Sequence, residues 1–323
     1  MTRTRTAVLL MAHGTPDSLD QMPEYLTQVR SGRPPSPQLV EEMRANYAAI
    51  GGRSPLTDLT RQQGAALQEA LGPGTPVLVG MRNWHPYIAD VLAGLPSPPD
   101  IDLVVGIPLA PQFSTLSVQK YVEAALAAMP AGVRFRCVSS FHDHPRLVEA
   151  FAERVREAAP APGEEVIFTA HSLPVRVLEA GDPYADQVAA TAAAVAAQSG
   201  LAHYGLAYQS AGRTPEPWLG PDIGEMVRSR ATAGARRLLI VPIGFVCDHT
   251  EILFDIDIQA ARVARECGAE LRRTRSLNAS PAFIRLLAAL VNEETGRAIS
   301  GGEASPAPRD REVGPDLQGH VES

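Results

Sequence analysis

The chain has 323 residues, of which 45% are hydrophobic and 20% charged, and its formal net charge is −7. This balance is typical of a globular protein large enough for two cores, and the acidic excess argues against a nucleic-acid-binding protein. The longest apolar runs fall far short of the roughly 20 residues that a membrane-spanning helix needs. We therefore expect a soluble protein with no membrane span.

The cysteines and the N-terminal segment indicate a cellular compartment. Cys137, Cys247 and Cys267 are widely spaced, which argues against a zinc or iron–sulfur site, and their odd number fits a reducing environment. The apolar segment Ala7–Ala12 is shorter than a signal peptide requires and is followed by His13 instead of a cleavage site. The sequence therefore predicts a cytoplasmic protein whose first strand is this segment.

Strands and helices are predicted to alternate along the chain, which favours βαβ units in an α/β, doubly wound fold. The predicted strands are 6–12, 76–80, 102–108, 133–138, 165–170, 203–208 and 237–243. The predicted helices are 18–30, 36–48, 58–71, 86–94, 115–128, 145–158, 184–199, 221–233, 250–267 and 281–293.

So many strands in this length suggest two half-size sheets in two domains, 1–144 and 145–280. The segment 281–295, which holds the last helix, is expected to return and complete the first domain. Residues 296–323 contain Gly, Ser, Pro and charged residues with few apolar ones, so a disordered tail is predicted.

The stretch Leu238–Gln259 begins as a buried strand and continues, after a loop, with helical spacing. Glu251, Asp255 and Gln259 are four residues apart, so they place a row of oxygen atoms on one helix face. Ligands of α/β sheets bind beyond the carboxyl ends of the strands, where this row begins. A solvated first turn whose acids suit the helix dipole is the alternative interpretation.

The stretch Glu165–Pro174 has the same plan, with a short apolar strand that leads into His171. Histidine exchanges protons near neutral pH. A single histidine after a strand is most often a hydrogen-bonding loop residue. Together with the acids at another strand end, His171 would face one cleft, and the pair indicates proton-transfer or metal chemistry.

The nucleotide-binding and hydrolase motifs common in α/β proteins are missing. The first strand is followed by His13-Gly14-Thr15-Pro16, which matches neither the dinucleotide-binding GxGxxG pattern nor a Walker loop. The chain also has no GxSxG sequence. Nucleotide binding and serine-hydrolase activity are therefore not favoured.

Several segments together resemble the ferrochelatase family, and in particular the coproporphyrin ferrochelatases of Gram-positive-type haem synthesis. The matching segments are Met11–Pro16, Val29–Pro37, Tyr47–Leu56, Leu109–Tyr121, Ala170–Pro174, Gly181–Gln187, Tyr208–Pro221 and Pro242–Asp257. The resemblance implies two Rossmann-like domains with a porphyrin cleft between them. It also implies a lyase of haem biosynthesis that inserts Fe(II) into a porphyrin and releases two pyrrole protons.

The resemblance places His171 and Glu251 at the reacting centre and implies that both, with Asp255, contact the metal. A neutral His171 would accept a proton from a pyrrole nitrogen. Glu251 would replace water on the incoming cation with a carboxylate oxygen. Asp255 would extend the line of acids outward as a path for metal or protons.

Four positions depart from the family pattern. His13 stands where the relatives have tyrosine, and imidazole binds iron(II) better than a neutral phenol does. We hypothesise that His13 approaches the metal along the ring axis, with a hydrogen-bonded loop histidine as the alternative. Gln259 replaces an acid, so an outer metal site should be weaker or absent. Arg82-Asn83 replaces Lys-His, so no accessory metal histidine is expected there.

Polar side chains of the matching segments are candidates for contacts with the porphyrin propionates, because arginine forks and hydroxyls suit carboxylates. The candidates are Arg30, Tyr47, Arg53, Ser54 and Tyr121. Surface arginines are often only solvated, and of these residues we favour Arg30, Ser54 and Tyr121.

Two aromatic side chains near the candidate site have structural interpretations. We expect Trp84 to belong to the domain core. His249, two residues before Glu251, is expected to hold its loop by hydrogen bonds, with a metal ligand as the alternative.

The compact segment Val29–Pro37 and the loop Leu109–Tyr121 resemble the coproporphyrin enzymes, so coproporphyrin III is the expected substrate and protoporphyrin IX the alternative. A chelatase for cobalt or nickel and a non-catalytic tetrapyrrole- or haem-binding protein are rival interpretations. We expect a monomer with no permanently bound cofactor that makes transient contacts with haem-pathway enzymes.

Overall fold

A computed structural model describes residues 5–95 and 100–296 of the chain. The tail predicted to be disordered lies, from residue 297 onward, outside the described residues. The predicted α/β class is confirmed, since parallel strands alternate with helices throughout the described part.

Within these residues the strands form two four-stranded parallel sheets, in the orders β2-β1-β3-β4 and β6-β5-β7-β8. The strands are β1 Thr6–Ala12, β2 Val77–Met81, β3 Leu103–Pro108, β4 Arg134–Cys137, β5 Glu165–His171, β6 Gly205–Gln209, β7 Arg237–Val241 and β8 Glu270–Arg273. The two sheets have the same strand order, so each has its first strand in an inner position.

The helices connect and cover these strands. They are α1 Met22–Val29, α2 Pro37–Ala49, α3 Leu56–Leu71, α4 Ile88–Ala93, α5 Val118–Ala128, α6 Pro145–Ala158, α7 Val175–Glu179, α8 Tyr184–Gln198, α9 Ile223–Thr232, α10 Thr250–Leu253, α11 Ala261–Glu266 and α12 Pro281–Thr295. A 3-10 turn at Leu19–Gln21 precedes α1, and a π-helical segment at Asp255–Ala260 joins α10 to α11.

The inner strands are largely apolar, as expected where helices cover both faces of a sheet. Every residue of β1 is buried. Successive side chains point to opposite faces, so Val8 and Leu10 join one core while Leu9 and Met11 join another. The prediction of a doubly wound arrangement is therefore confirmed.

Helix α12 returns to the first half of the chain. It packs against α3 and α6, and its residue Leu287 belongs to the same core as Val8 of β1 and Phe168 of β5. The two sheets lie on either side of residue 144, but this core is continuous between them. The domain boundary at that residue stays a prediction.

A buried set of hydrogen bonds, which we call the clasp, joins the loop after β3 to the second half of the chain. The Gln112 amide donates to Thr191 Oγ1 at 3.1 Å. The Asp182 carboxylate accepts from Thr115 N at 2.6 Å, from Thr115 Oγ1 at 2.7 Å and from Ser114 Oγ at 3.2 Å. Since Asp182, Gln112 and Ser114 are buried, the clasp fixes the loop after β3 against the second half of the chain.

Several elements differ from the prediction. The short helix α7 at Val175–Glu179 has no counterpart among the predicted helices. Strand β8 was missed, because it is a four-residue edge strand whose side chains are alternately exposed and half-buried. The helix predicted at 250–267 is not a regular α-helix. Its middle turn is π-helical, with the backbone N–H of Gln259 donating to the carbonyl of Phe254, five residues earlier, at 2.9 Å.

Candidate active site

The site lies at the carboxyl ends of β5 and β7, where the order of the second sheet reverses. The loop after β7 passes close to β5, and the Gly244 backbone N–H donates to the Thr169 carbonyl at 3.1 Å. A Cβ atom at position 244 would lie 2.7 Å from the Cβ of Ala170. Only glycine allows this approach, which brings the start of α10 towards His171 at the end of β5.

The two residues predicted to react lie side by side. His171 Nε2 is 3.8 Å from Glu251 Oε2, and the two side chains are 33% and 36% exposed. His171 Nδ1 is hydrogen-bonded to the backbone carbonyl of Ser172, which requires the proton on Nδ1. In the neutral ring the Nε2 lone pair is therefore free to accept a proton.

His249 is the third member of this group. Its Nε2 atom is 3.6 Å from Glu251 Oε2, and its Nδ1 atom is 3.0 Å from the carbonyl oxygen of Cys247. The second contact is the expected loop hydrogen bond. The first was missed, although a histidine two residues before an acid at a helix start could have indicated it.

The charges in this group oppose one another. Burial disfavours ionisation of Glu251, but His171, His249 and His13 outweigh it together and hold the pKa of Glu251 at about 2. Burial and the nearby Glu251 raise the pKa of Asp255 to about 6, although Ser210 Oγ donates a hydrogen bond to it. One acid is thus a permanent anion, while the other exchanges protons near neutral pH.

The π-helical segment affects how the predicted row of oxygen atoms lines up. Four residues make slightly more than one turn of an α-helix, so side chains at this spacing drift around the helix axis. The same four residues make slightly less than one turn of a π-helix, whose turns are closed by an i→i+5 bond. The π turn therefore offsets the drift of the row between Glu251 and Gln259. Glu251 and Asp255 line the site, whereas Gln259 is exposed.

His13 follows β1, on the wall that the first sheet contributes. It interacts electrostatically with Glu251, His249 and His171, so it lies near this group. The Asn83 amide nitrogen lies 3.1 Å from its Nε2 and 3.3 Å from its Nδ1. Burial and the neighbouring Arg82 lower the pKa of His13 to about 4, so the imidazole is neutral at physiological pH.

Arg82 and Tyr121 form another part of this wall. The guanidinium carbon lies 5.2 Å from the centre of the Tyr121 ring, and Nη1 donates to the Leu116 carbonyl at 3.3 Å. Within the described part of the chain Arg82 has no carboxylate partner. Burial raises the pKa of Tyr121 to about 12, against the opposing effect of Arg82. The sequence interpretation assigned Arg82 no role.

The other predicted porphyrin contacts fall into two groups. Tyr47 and Ser54 are buried; the Tyr47 hydroxyl is 2.9 Å from Thr15 Oγ1, and Ser54 Oγ accepts from Leu56 N at 3.3 Å. Their contact with porphyrin stays a prediction, as does that of the two exposed arginines, Arg30 and Arg53.

These two arginines already have partners on the protein. Arg30 Nε donates to the Arg33 carbonyl at 3.3 Å, and Arg53 forms an ion pair with Asp58. Trp84 is only 2% exposed, as expected of a core residue.

The donor atoms of the site do not form a closed metal cage. In residues 5–95 and 100–296 no group of three or more His, Cys, Asp or Glu side chains is arranged to hold a metal ion. Cys137, Cys247 and Cys267 are unpaired thiols. No helix in the same ranges has both the length and the apolar character needed to cross a membrane.

Comparison with known proteins gives the family. The Ferrochelatase family model matches residues 5–295. A Ferrochelatase of Deinococcus radiodurans is 44% identical over 301 residues, covering 89% of this chain and 95% of the relative. Coproporphyrin III ferrochelatases of Geobacillus sp. (strain WCH70) and Bacillus subtilis (strain 168) are 38% and 37% identical, covering 90% and 92% of this chain and 98% and 100% of the relatives.

A solved structure agrees with the fold. The sirohydrochlorin chelatase SirB from Bacillus subtilis subspecies spizizenii, in complex with cobalt, aligns with a TM-score of 0.53 at 11% identity. The alignment covers 91% of this chain and 96% of SirB, and at this identity the likeness concerns the fold alone. From the family match and the close relatives, the chain belongs to the ferrochelatase family, the lyases that insert a metal into a porphyrin in haem biosynthesis.

Proposed function

We propose that this ferrochelatase inserts Fe(II) into coproporphyrin III to give coprohaem, with His171 and Glu251 as the catalytic residues. The observation that carries the proposal is the His171–Glu251 pair, 3.8 Å apart at the switch point of the second sheet. Both side chains are about one third exposed, so they can reach a ligand in the cleft.

Proton removal falls to His171. A pyrrole N–H is a weak acid, so its loss requires a proton acceptor within hydrogen-bond reach. The Nε2 lone pair of His171 is available because Nδ1 is occupied by the Ser172 carbonyl. The imidazolium that forms lies beside the anionic Glu251, with Nε2 3.8 Å from a carboxylate oxygen.

Glu251 and Asp255 guide the metal and carry protons away. Glu251 remains ionised because its pKa is about 2, and its carboxylate replaces water on the incoming Fe(II). Asp255, whose pKa is about 6, takes up and releases protons near neutral pH. Both acids bind the metal substrate only transiently.

His13 would contact the porphyrin from the side of the first sheet. Its neutral imidazole has a lone pair to offer, and imidazole is a good ligand for iron(II). The ring lies beside the Asn83 amide, within hydrogen-bond distance. We assign His13 to axial contact with iron in the product, with the loop hydrogen bond as the alternative.

The choice of coproporphyrin III is supported by two observations. Relatives named coproporphyrin III ferrochelatase are 37–38% identical over about nine tenths of the chain. Coproporphyrin also carries four propionates, and the half-buried guanidinium of Arg82 has no acid partner within the described residues. A propionate would supply that partner.

The remaining assignments concern the state of the protein in the cell. We place it in the cytoplasm as a monomer without a resident cofactor or iron–sulfur cluster. It would hand its product to other haem-pathway enzymes through transient contacts. Ultracentrifugation and metal analysis of the purified protein test the monomeric state and the absence of a cofactor.

The decisive test is anaerobic metal insertion followed by absorbance. Purified protein is given Fe(II) with either coproporphyrin III or protoporphyrin IX, and kcat/KM is compared. We expect coproporphyrin III to be preferred by about 10-fold or more, since unmatched charged groups cost several-fold in specificity. A preference for protoporphyrin IX would overturn the substrate assignment. Faster insertion of cobalt or nickel would overturn the metal assignment.

A further inference from the structure

Strand β8 carries two neighbouring arginines, Arg272 and Arg273, that bind carboxylates on different parts of the protein. Arg273 is the more buried, with a side chain 14% exposed. Its Nε and Nη2 atoms donate to the two oxygens of Asp257 at 2.7 and 3.0 Å. Its Nη1 atom lies 3.0 Å from Oδ1 of Asp248. One guanidinium therefore joins two acids.

These two acids bracket the catalytic segment. Asp248 immediately precedes His249, and Asp257 lies in the π-helical segment two residues after Asp255. Glu251 lies between them. Arg273 therefore ties the beginning of the segment that carries Glu251 and Asp255 to its far end.

The Asp248 end is anchored a second time. Ser276 Oγ donates to Asp248 Oδ1 at 2.7 Å and Asn278 Nδ2 donates to Oδ2 at 2.8 Å. The Asn278 side-chain oxygen accepts from the Asp248 backbone N–H at 2.9 Å. Asp248 is thus a fixed point, and through Arg273 it fixes the position of Asp257.

A π-helical turn needs such support. π turns are rare because their hydrogen bonding is less favourable than that of an α-helix, and they persist where the surrounding structure holds them. A planar guanidinium that binds a carboxylate through two parallel bonds fixes both distance and orientation. Without it, Asp248 and Asp257 would lose a shared cation, and the register of Asp255 with Glu251 would be free to shift.

We propose that Arg273 is a positioning residue for metal insertion, which acts through Asp248 and Asp257 to keep the π-helical segment and its acids directed at His171. The inference rests on the proposed role of Glu251. Arg273 has no part in binding porphyrin or metal itself.

Arg272 provides a matched control. It donates to both oxygens of Glu164 at 2.7 Å, so it forms the same kind of two-bond pair from the adjacent position of the same strand. Glu164 precedes β5 at the opposite end from His171. Arg272→Gln therefore removes an equivalent ion pair that does not touch the catalytic segment.

The test compares Fe(II) insertion and Tm for wild type, Arg273→Gln, Arg273→Lys and Arg272→Gln. We expect Arg273→Gln to lower kcat by about 10- to 100-fold, the usual loss when the support of a metal-contacting residue is removed, with KM for the porphyrin nearly unchanged. Arg273→Lys keeps the charge and should recover part of kcat. Arg272→Gln removes a more exposed pair with a single acid, so it should lower Tm less and keep kcat.

Equal kcat values for Arg273→Gln and Arg272→Gln would overturn the inference. If Arg273→Gln does not fold, Asp257→Asn decides, because it loosens the π-helical end and leaves the bond to Asp248. A lower kcat in that variant supports the role, and a normal kcat overturns it. Glu251→Gln is run beside them: if it keeps full activity, the proposed function fails first, whatever Arg273 does.

Discussion

The two halves of the molecule repeat one topology but carry different chemistry. Each sheet has its first strand in an inner position, and a histidine stands at the carboxyl end of that strand. His171 ends β5 in the second sheet, and His13 follows β1 in the first. The fold thus places one imidazole at the carboxyl end of the corresponding strand in each half.

Their surroundings differ in charge. His171 has the anionic Glu251 3.8 Å from its Nε2 atom. For His13 the largest influence is burial, followed by the charge of Arg82, and both lower its pKa. The strand end therefore determines where a histidine lies, while the surrounding residues determine which charged groups it meets.

The largest expected effect on the insertion rate comes from substitutions in the second half of the chain. His171→Ala and Glu251→Gln should each lower kcat for Fe(II) insertion by about 100-fold or more, because each removes a group that handles protons or metal at the reacting centre. Stopped-flow absorbance under anaerobic conditions measures the rate. His203→Ala, an exposed histidine before β6, is the control and should retain activity. Near-normal rates in both site variants would show that His171 and Glu251 are not catalytic, and the proposed difference in chemistry between the two halves would be wrong.

A smaller effect is expected in the first half. His13→Ala should reduce insertion by less than about 10-fold, since the residue supplies no proton acceptor to the reaction. It should change the absorption spectrum of the bound iron coproporphyrin through loss of an axial ligand. His85→Ala alters an exposed histidine near the same wall and should leave the spectrum unchanged. If the spectrum of His13→Ala is identical to that of wild type, His13 is not an axial ligand, and the hydrogen-bonded loop histidine is the interpretation that stands.

The smallest effect concerns the stability of the second half as a function of pH. The pKa of Asp255 rises from 3.8 to about 6 on folding, so between these values the unfolded state has lost the proton that the folded state keeps. Stability therefore falls as pH rises through this window and stays lower above it. Asp255→Asn cannot ionise, and its Tm should exceed that of wild type by about 5 °C at pH 8.

Near pH 4 the same variant should match wild type, because the folded wild-type protein then carries a protonated, neutral Asp255. Thermal unfolding at both pH values checks the prediction. A Tm difference of the same size at pH 4 and pH 8 would show that burial of the charge is not its source.

The sequence predicts the inner elements best. Strand β1 and helix α6 begin and end where the periodicity places them, since a buried apolar run and a proline at a helix start are strong local signals. Strand β8 has no such signal, because half of its four residues are exposed arginine and glutamate. The π-helical segment was missed because its apolar spacing also fits an α-helix.

For the site, sequence reasoning grouped His171, Glu251, Asp255 and His13, but it did not predict the contact between His249 and Glu251. Arg53 was a candidate for the propionates, yet it pairs with Asp58 in the first turn of α3. Arg82 was passed over because its position over Tyr121 depends on how β2 and α5 approach each other. Contacts of this kind come from tertiary packing, which residue type and spacing do not reveal.

The position of α12 at the end of the chain bears on how the protein is made. The core that contains Val8 and Phe168 is closed only when this helix packs against α3 and α6. A ribosome adds roughly 5–20 residues per second, so the β1 face of that core waits on the order of 10–50 s for its last helix. During that interval the nascent chain exposes an apolar surface that can aggregate. A chaperone that binds this surface should raise the yield of folded protein.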